Sequence, residues 1–368
     1  MAEPLRIALA GLGTVGGGVI RLLETNASLI ERRAGRPIAI AALSARERHK
    51  DRGVDISRYA WDDDTTALAS RPDVDVVVEL IGGSDGPALT LARNALAHGK
   101  SLVTANKAMI AHHGIELAEA AEKGGLALKF EAAVAGGIPV IKGLREGAAA
   151  NALERVYGIL NGTCNFILST MEDTGRDFDD VLAEAQANGD GLFQRVHPYL
   201  VPRDHPLAHV DGATNAVVAE GNFSGRLLFQ GAGAGDGPTA SAVVADLIDI
   251  ARGEIGAPFS IPVAALEAMA PAASGNRVGK AYLRFIVADR PGVLAEIAAA
   301  MRDAGVSIES LIQHGGQAHL GGADLGEPVL IAMVTHAGPE RCIAEALRLL
   351  EGSESLAEPP LVMHILGE

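Results

Sequence analysis

The 368 residues are enough for two or three domains, and 48% of them are hydrophobic, so real cores can form. Thirty-one basic against 46 acidic side chains give a net charge of −15, which counts against nucleic acid or an anionic membrane as partner and asks any anionic ligand to find a local basic patch. Two cysteines, Cys164 and Cys342, exclude a disulfide scaffold; with no signal-peptide pattern and no membrane-length apolar run, a cytoplasmic protein is expected.

The first predicted elements lie in residues 5–23, LRIALAGLGTVGGGVIRLL, and the rest of the chain is organised around them. Ile7, Ala8, Leu9 and Ala10 form an apolar strand that runs into Gly11, Gly13 and Gly16. A helical pattern follows, with Val15, Val19, Leu22 and Leu23 on one face. Strand, glycine turn and helix in that order make a dinucleotide-binding unit. Gly11 permits the tight turn, Gly13 lets the backbone approach a pyrophosphate, and Gly16 lets the helix pack closely on its strand. The helix N-terminus then points at the phosphates. Glycines also mark ordinary turns, but this triplet follows a strand and opens a helix.

Ile38–Leu43 reads as the second strand. An NAD site usually ends this strand with an acidic residue that accepts the ribose hydroxyls. Here it runs into Ser44, Ala45 and Arg46, then Arg48 and Lys50. Those cations suit a 2′-phosphate and favour NADP over NAD; a basic, solvated loop is the other reading. Asp62–Asp64 open a short helix at the positive end of its dipole. Val74–Leu80 (VDVVVEL) is a buried parallel strand ending in a second glycine turn, Ile81, Gly82 and Gly83, at the carboxyl edge of the sheet. Leu89–His98 is a helix. Strand Ser101–Thr104 leads to Ala105, Asn106 and Lys107 at the same edge. Lys107 is either a surface lysine at a turn or, desolvated beside a cofactor, a group for proton transfer. Strand Leu126–Phe130 ends at Glu131.

Residues 131–143, EAAVAGGIPVIKG, leave the nucleotide domain. One carboxylate followed by a small-residue loop exposes carbonyls that suit a hard cation, although glycine turns expose carbonyls in many loops. Arg155–Leu168 reads as a strand, a polar turn at Asn161–Thr163 suited to a small polar substrate, and an apolar continuation. Thr239–Arg252 is a helix preceded by Pro238 and ended by Gly253. Residues 254–279, rich in Pro, Ala and Gly, read as a linker. Ala281–Gly367 follows a βαββαβ order, which is ferredoxin-like.

Together the stretches GLGTVG (11–16), ELIGG (79–83), TANK (104–107), FEAAVAGGIP (130–139), GILNGTCNFIL (158–168), VHPYLVP (196–202) and GAGAGDGPTASAVVADL (231–247) resemble homoserine dehydrogenase. The turn Asp289–Gly292 followed by Val293 and Leu294 resembles an ACT domain. The resemblance implies an α/β protein of three parts. A Rossmann-type NAD(P) domain covers 1–132 and is completed by a return helix at 239–253. An α+β substrate and dimerisation domain covers 133–238. After the linker, a ferredoxin-like ACT domain covers 280–368. Gly11, Gly13, Thr14, Val15 and Gly16, with Thr104, Asn106, Lys107 and Gly235, are then cofactor residues; Gly82 and Arg46 join them on the reading above. Glu131 with the carbonyls of Val134, Gly136 and Ile138 resembles the family's sodium site, and Gly162 and Thr163 correspond to the turn facing the substrate. The implied reaction interconverts L-homoserine and L-aspartate 4-semialdehyde, in threonine, methionine and isoleucine biosynthesis. A homodimer or homotetramer is implied, with an amino-acid effector such as threonine on the tail, unless the tail is a plain dimerisation module.

One departure stands against these matches. After AQANGD (185–190) the family continues through a stretch that carries a substrate-binding glutamate, a catalytic aspartate and the lysine assigned as proton donor. Here Asp190 is followed at once by GLFQRVHP, which resembles sequence several dozen residues further on. Arg195 is the only charge between Asp190 and Val196, and arginine does not give up a proton at neutral pH. Lys107 is the one matched lysine left near the cofactor. Two further readings follow: a remnant that binds cofactor and amino acid without turnover, and another oxidoreductase on the same nucleotide fold.

Overall fold

The computed structural model describes residues 2–159, 195–212, 214–268, 274–314 and 328–367. They fall into two compact units, one within Met1–Phe178 and Val210–Leu266, the other within Asp179–His209 and Glu267–Glu368.

In the first unit, alternation along apolar strands builds a sheet buried on both faces. Strands β1 (Leu5–Ala10), β2 (Ile38–Ser44), β3 (Ala60–Trp61), β4 (Val76–Glu79), β5 (Ser101–Thr104) and β6 (Leu128–Lys129) are parallel, in the order β3-β2-β1-β4-β5-β6. Ile7, Leu9, Val76 and Val78 face one core, which α1 (Thr14–Thr25) and the Asp236–Ala251 helix supply with Val19, Ile20, Val243 and Leu247. Ala8, Ala10 and Val77 face the other, filled by Leu91 of α3 (Pro87–Ala97) and by Met109 and Leu117 of α4 (Lys107–Gly124). The period of two divides one apolar run between two cores. This strand order reverses beside β1, at the crevice where doubly wound sheets bind ligands. Edge strand β3 was not anticipated, since two residues carry no periodicity.

The acidic run behaves as expected: Asp64 accepts the Thr66 N–H at 2.9 Å and caps a short 3₁₀ helix, Thr65–Ser70. The return helix starts one turn earlier than read, at Asp236, with Pro238 inside its first turn, where no intrahelical N–H is needed. The beginning of the expected linker is packed rather than loose. Phe259 packs against Phe130 with the rings tilted and their centroids 5.7 Å apart, Val263 is buried, and its N–H donates to the Glu122 carboxylate at 3.1 Å. Two apolar anchors in a Pro- and Ala-rich stretch escape a reading by composition. Strands β7 (Leu153–Ile159), β9 (Thr214–Gly221) and β10 (Gly225–Ala232) form an antiparallel sheet in the order β10-β9-β7. The turn expected at Asn161–Thr163, with Gly162 and Thr163, lies outside the described residues.

In the second unit, β11 (Val278–Ala288), β12 (Ile308–His314), β13 (Pro328–Thr335) and the Leu361–Ile365 strand pair antiparallel in the order β12-β13-β11-(361–365). With helices Val293–Asp303 and Glu340–Leu349 this is the ferredoxin-like arrangement read from the element order. Leu283, Phe285, Ile297, Met301, Ile331 and Met333 form its core. Strand β8 (Tyr199–Leu200), within the 133–238 stretch read as the substrate domain, lengthens this sheet by pairing parallel with His364 and Ile365. Glu340, 7% exposed, anchors the same segment: it accepts from Arg195, and from Arg277 at 2.8 Å, and lies 3.5 Å from His364 Nδ1.

Candidate cofactor site and active site

The glycine turn follows β1. Gly11 has φ +98°, and a Cβ there would come within 2.5 Å of the Leu80 carbonyl oxygen. Only glycine therefore lets the turn cross the end of β4. At Gly16 a Cβ would stand 2.3 Å from the Gly11 carbonyl oxygen, so this glycine closes the helix onto its own turn rather than onto the strand. Gly13 differs: nothing lies within 4 Å of its missing Cβ, and as N-cap of α1 it brings no capping side chain to the helix's first N–H groups. An open approach to uncapped N–H donors fits a diphosphate, with Thr14 and Val15 in the first turn. Gly18 then meets the return helix, since a Cβ there would sit 2.8 Å from the Asp236 carbonyl. That contact brings Gly235, at φ +118°, beside the same turn of α1.

Two of the loops at the carboxyl edge, those after β4 and β5, are held by a residue that sequence reasoning missed as a site group. Ala10, Glu79 and Thr104 are cross-strand neighbours, so their loops leave the sheet side by side. Glu79 is fully buried; one carboxylate oxygen accepts the N–H groups of Ile81 at 2.7 Å and Gly82 at 3.1 Å, and the other accepts the Thr104 hydroxyl at 2.6 Å. Thr104 Oγ1 accepts the Asn106 N–H at 3.0 Å. The Asn106 side chain donates to the Gly83 carbonyl at 2.7 Å and, as N-cap of α4, accepts the Met109 N–H at 3.1 Å. Gly82, Thr104 and Asn106, three residues expected at the cofactor, thus belong to one network. A lone acid at the end of VVVE was the available signal, because a buried carboxylate needs donors.

Lys107 occupies the first position of α4 and its side chain is exposed. The helix start lies at the open rim of the sheet, where desolvation of Lys107 would have to come from a bound cofactor. Arg46, Arg48 and Lys50 are exposed as well. The fixed cation is Arg52, which was not anticipated: its Nε donates to the Leu12 carbonyl at 2.9 Å, inside the glycine turn.

Glu131, expected as a cation ligand, is hydrogen-bonded within the protein. Its two carboxylate oxygens accept the N–H groups of Ile141 and Lys142, each at 2.9 Å, so it caps the short helical turn Val140–Lys142. The Ile138 carbonyl accepts the Val140 N–H at 2.8 Å. Each of these oxygens keeps a further lone pair, so the hydrogen bonds leave acceptor capacity on Glu131 and on the Ile138 carbonyl. A buried ionic cluster joins the return helix to this turn. Asp246 accepts the Glu131 N–H at 3.0 Å and lies 3.3 Å from Lys142 Nζ, which also bonds Asp249. Burial, with Asp246 nearby, pushes the Glu131 carboxyl up, and burial pushes Asp246 up too. Burial pulls the Lys142 ammonium down, but Asp246 and Asp249 outweigh it and hold it above its ordinary value. Two acids three apart in an apolar helix were the overlooked signal.

Comparison with known proteins decides the family. Models described as the homoserine dehydrogenase NAD-binding domain, homoserine dehydrogenase and the ACT domain match residues 11–131, 139–190 with 192–248, and 281–348. The homoserine dehydrogenase of Pseudomonas aeruginosa is 37% identical over 438 aligned positions, covering 99% of each chain. The chain belongs to the homoserine dehydrogenase family. A homoserine dehydrogenase from Thiobacillus denitrificans superposes with a TM-score of 0.86 at 34% identity, covering 99% of this chain and 98% of that one. A hyperthermophilic archaeal homoserine dehydrogenase mutant, solved in complex with NADPH, shares the fold at 20% identity and a TM-score of 0.54, over 67% of this chain and 97% of that one. The departure after Asp190 recurs in these matches. The family model breaks at Gly191, and 438 aligned positions against 368 residues leave at least 70 positions facing a gap in this chain.

Proposed function

We propose that this homoserine dehydrogenase has a complete cofactor half and a shortened substrate half. Its assigned reaction is the NAD(P)-dependent interconversion of L-homoserine and L-aspartate 4-semialdehyde. The nicotinamide exchanges a hydride with the aldehyde carbon, and the protein must align the two carbons and deliver a proton to the oxygen. The Glu79 network carries this reading. It fixes the Gly82 turn and the Thr104–Lys107 corner beside the glycine turn, and that is where a nicotinamide cofactor and a proton donor have to meet. Lys107, exposed at that corner, is the available donor. The basic loop 46–50 favours NADPH over NADH. The ACT tail is read as an amino-acid site, threonine being the first candidate, and the assembly as a homodimer or homotetramer. Among the described residues no helix is long and apolar enough to cross a membrane.

The break at Gly191 supports the impaired reading, because the family's acidic anchors and donor lysine would fall there. General acid catalysis is worth about 10²–10⁴ in rate. Purified protein whose mass matches the 368 residues should bind NADPH, yet reduce aspartate semialdehyde at least a hundredfold more slowly than a complete family member. Comparable turnover would mean that Lys107 suffices and that the impaired reading is wrong; failure to bind either cofactor would overturn the reading of the nucleotide site.

A further inference from the structure

The loop after β2 shows its cations Arg46, Arg48 and Lys50 on exposed side chains, and mobile surface charges discriminate weakly. Half-buried Arg52 differs from them in its bonding. Nε donates to the Leu12 carbonyl at 2.9 Å, Nη1 to the carbonyls of Lys50 at 2.6 Å and Arg48 at 3.3 Å, and Nη2 to that of Glu47. Its own carbonyl lies 3.5 Å from where a side chain at Gly17 would begin, against the first turn of α1. Trp61 of β3 sits 5.9 Å from the guanidinium carbons of both Arg48 and Arg52. One guanidinium therefore ties residues 47–50 to the turn that receives the diphosphate. Its hydrogen bonds go to main-chain carbonyls, and among the described residues no carboxylate pairs with it, so its charge is retained. The end of β2 beside the glycine turn is where the 2′ position of an adenosine ribose lies in this fold.

We infer that Arg52 is a specificity-determining positioning residue: its guanidinium fork holds the 47–50 loop and a fixed positive charge at the ribose 2′ position, and so sets the preference for a 2′-phosphorylated cofactor. This rests on the reading that the chain prefers NADPH. Lysine cannot replace the fork, because one ammonium does not span the Leu12 carbonyl and the carbonyls of the loop.

The test is calorimetric titration of the full chain and its Arg52→Gln and Arg52→Lys variants with 2′,5′-ADP and 5′-ADP, then with NADPH and NADH. In both variants the preference for the 2′-phosphate should fall at least tenfold, equal to about 1.4 kcal/mol. Affinity for 5′-ADP and NADH should stay within about twofold. If Arg52→Gln does not fold, Arg52→Lys alone decides. An unchanged ratio, equal loss for all four ligands, or full retention by Arg52→Lys would each overturn the inference. An unmodified chain that prefers NADH would instead refute the reading on which it rests.

Discussion

Replacing Lys142 by Met tests the ionic cluster that joins the return helix to the helical turn after Glu131. The Lys142 side chain is 18% exposed, and its partners Asp246 and Asp249 are 1% and 11% exposed. Removing one partner of a buried pair costs about 3–5 kcal/mol, since the remaining charge stays out of water. Methionine keeps most of the stem's volume, so the loss is electrostatic. At about 2–4 °C per kcal/mol for a unit of this size, the melting transition should drop by roughly 6–20 °C. Calorimetry identifies that transition as the one that added NADPH raises. The deficit should also depend on pH. Asp246, already pushed up by burial, rises further without the ammonium. The folded variant then holds a proton that the unfolded chain has released, so its stability falls as pH climbs from the unfolded carboxylate range to the folded value. Wild-type Lys142, held above its ordinary value, keeps its charge well past that window. The deficit should therefore be larger at pH 8 than at pH 5. A loss under about 1 kcal/mol, or the same loss at both pH values, would refute this account.

Gly13→Ala should leave the melting temperature within about 2 °C, because nothing lies within 4 Å of the new Cβ, while weakening NADPH at least tenfold by fluorescence titration. Gly11→Ala, with φ +98° and a carbonyl 2.5 Å away, should lose both stability and binding; equal behaviour of the two variants would contradict the roles given to them. In the second unit, burial, with Arg195, His197 and Arg277, pushes His364 down to about 4 against the pull of Glu340. The folded state then prefers neutral imidazole, so stability present above the unfolded value near 6.5 is lost as pH falls toward 4. Urea titrations at pH 7 and 5 should show this loss, and His364→Gln should flatten it; parallel behaviour would argue against the assignment. Titrating the full chain with L-threonine should give saturable heat. No heat, together with no effect on NADPH oxidation, would leave dimerisation as the role of the tail.

The apolar runs VVVEL and SLVT, the glycine spacing after β1 and the βαββαβ order of the tail were legible because local chemistry dictates them. An apolar run buries itself, a turn at φ +98° takes glycine, and alternation of period two marks a sheet. The family could be read in the same way, from motifs spread along the chain, and so could the break after Asp190. The bonding of individual polar groups could not. Only the fold places the Ile141 and Lys142 N–H groups against the Glu131 carboxylate. Asp246 lies 104 positions from Lys142, and Arg52 is 40 positions from Leu12, the carbonyl it holds. Strand β8 follows the junction in sequence yet pairs with the last strand of the tail. A sequence shows that a buried charge or a strand edge needs a partner; only the tertiary structure decides which one, because the partner arrives from a distant part of the chain once the sheets have closed.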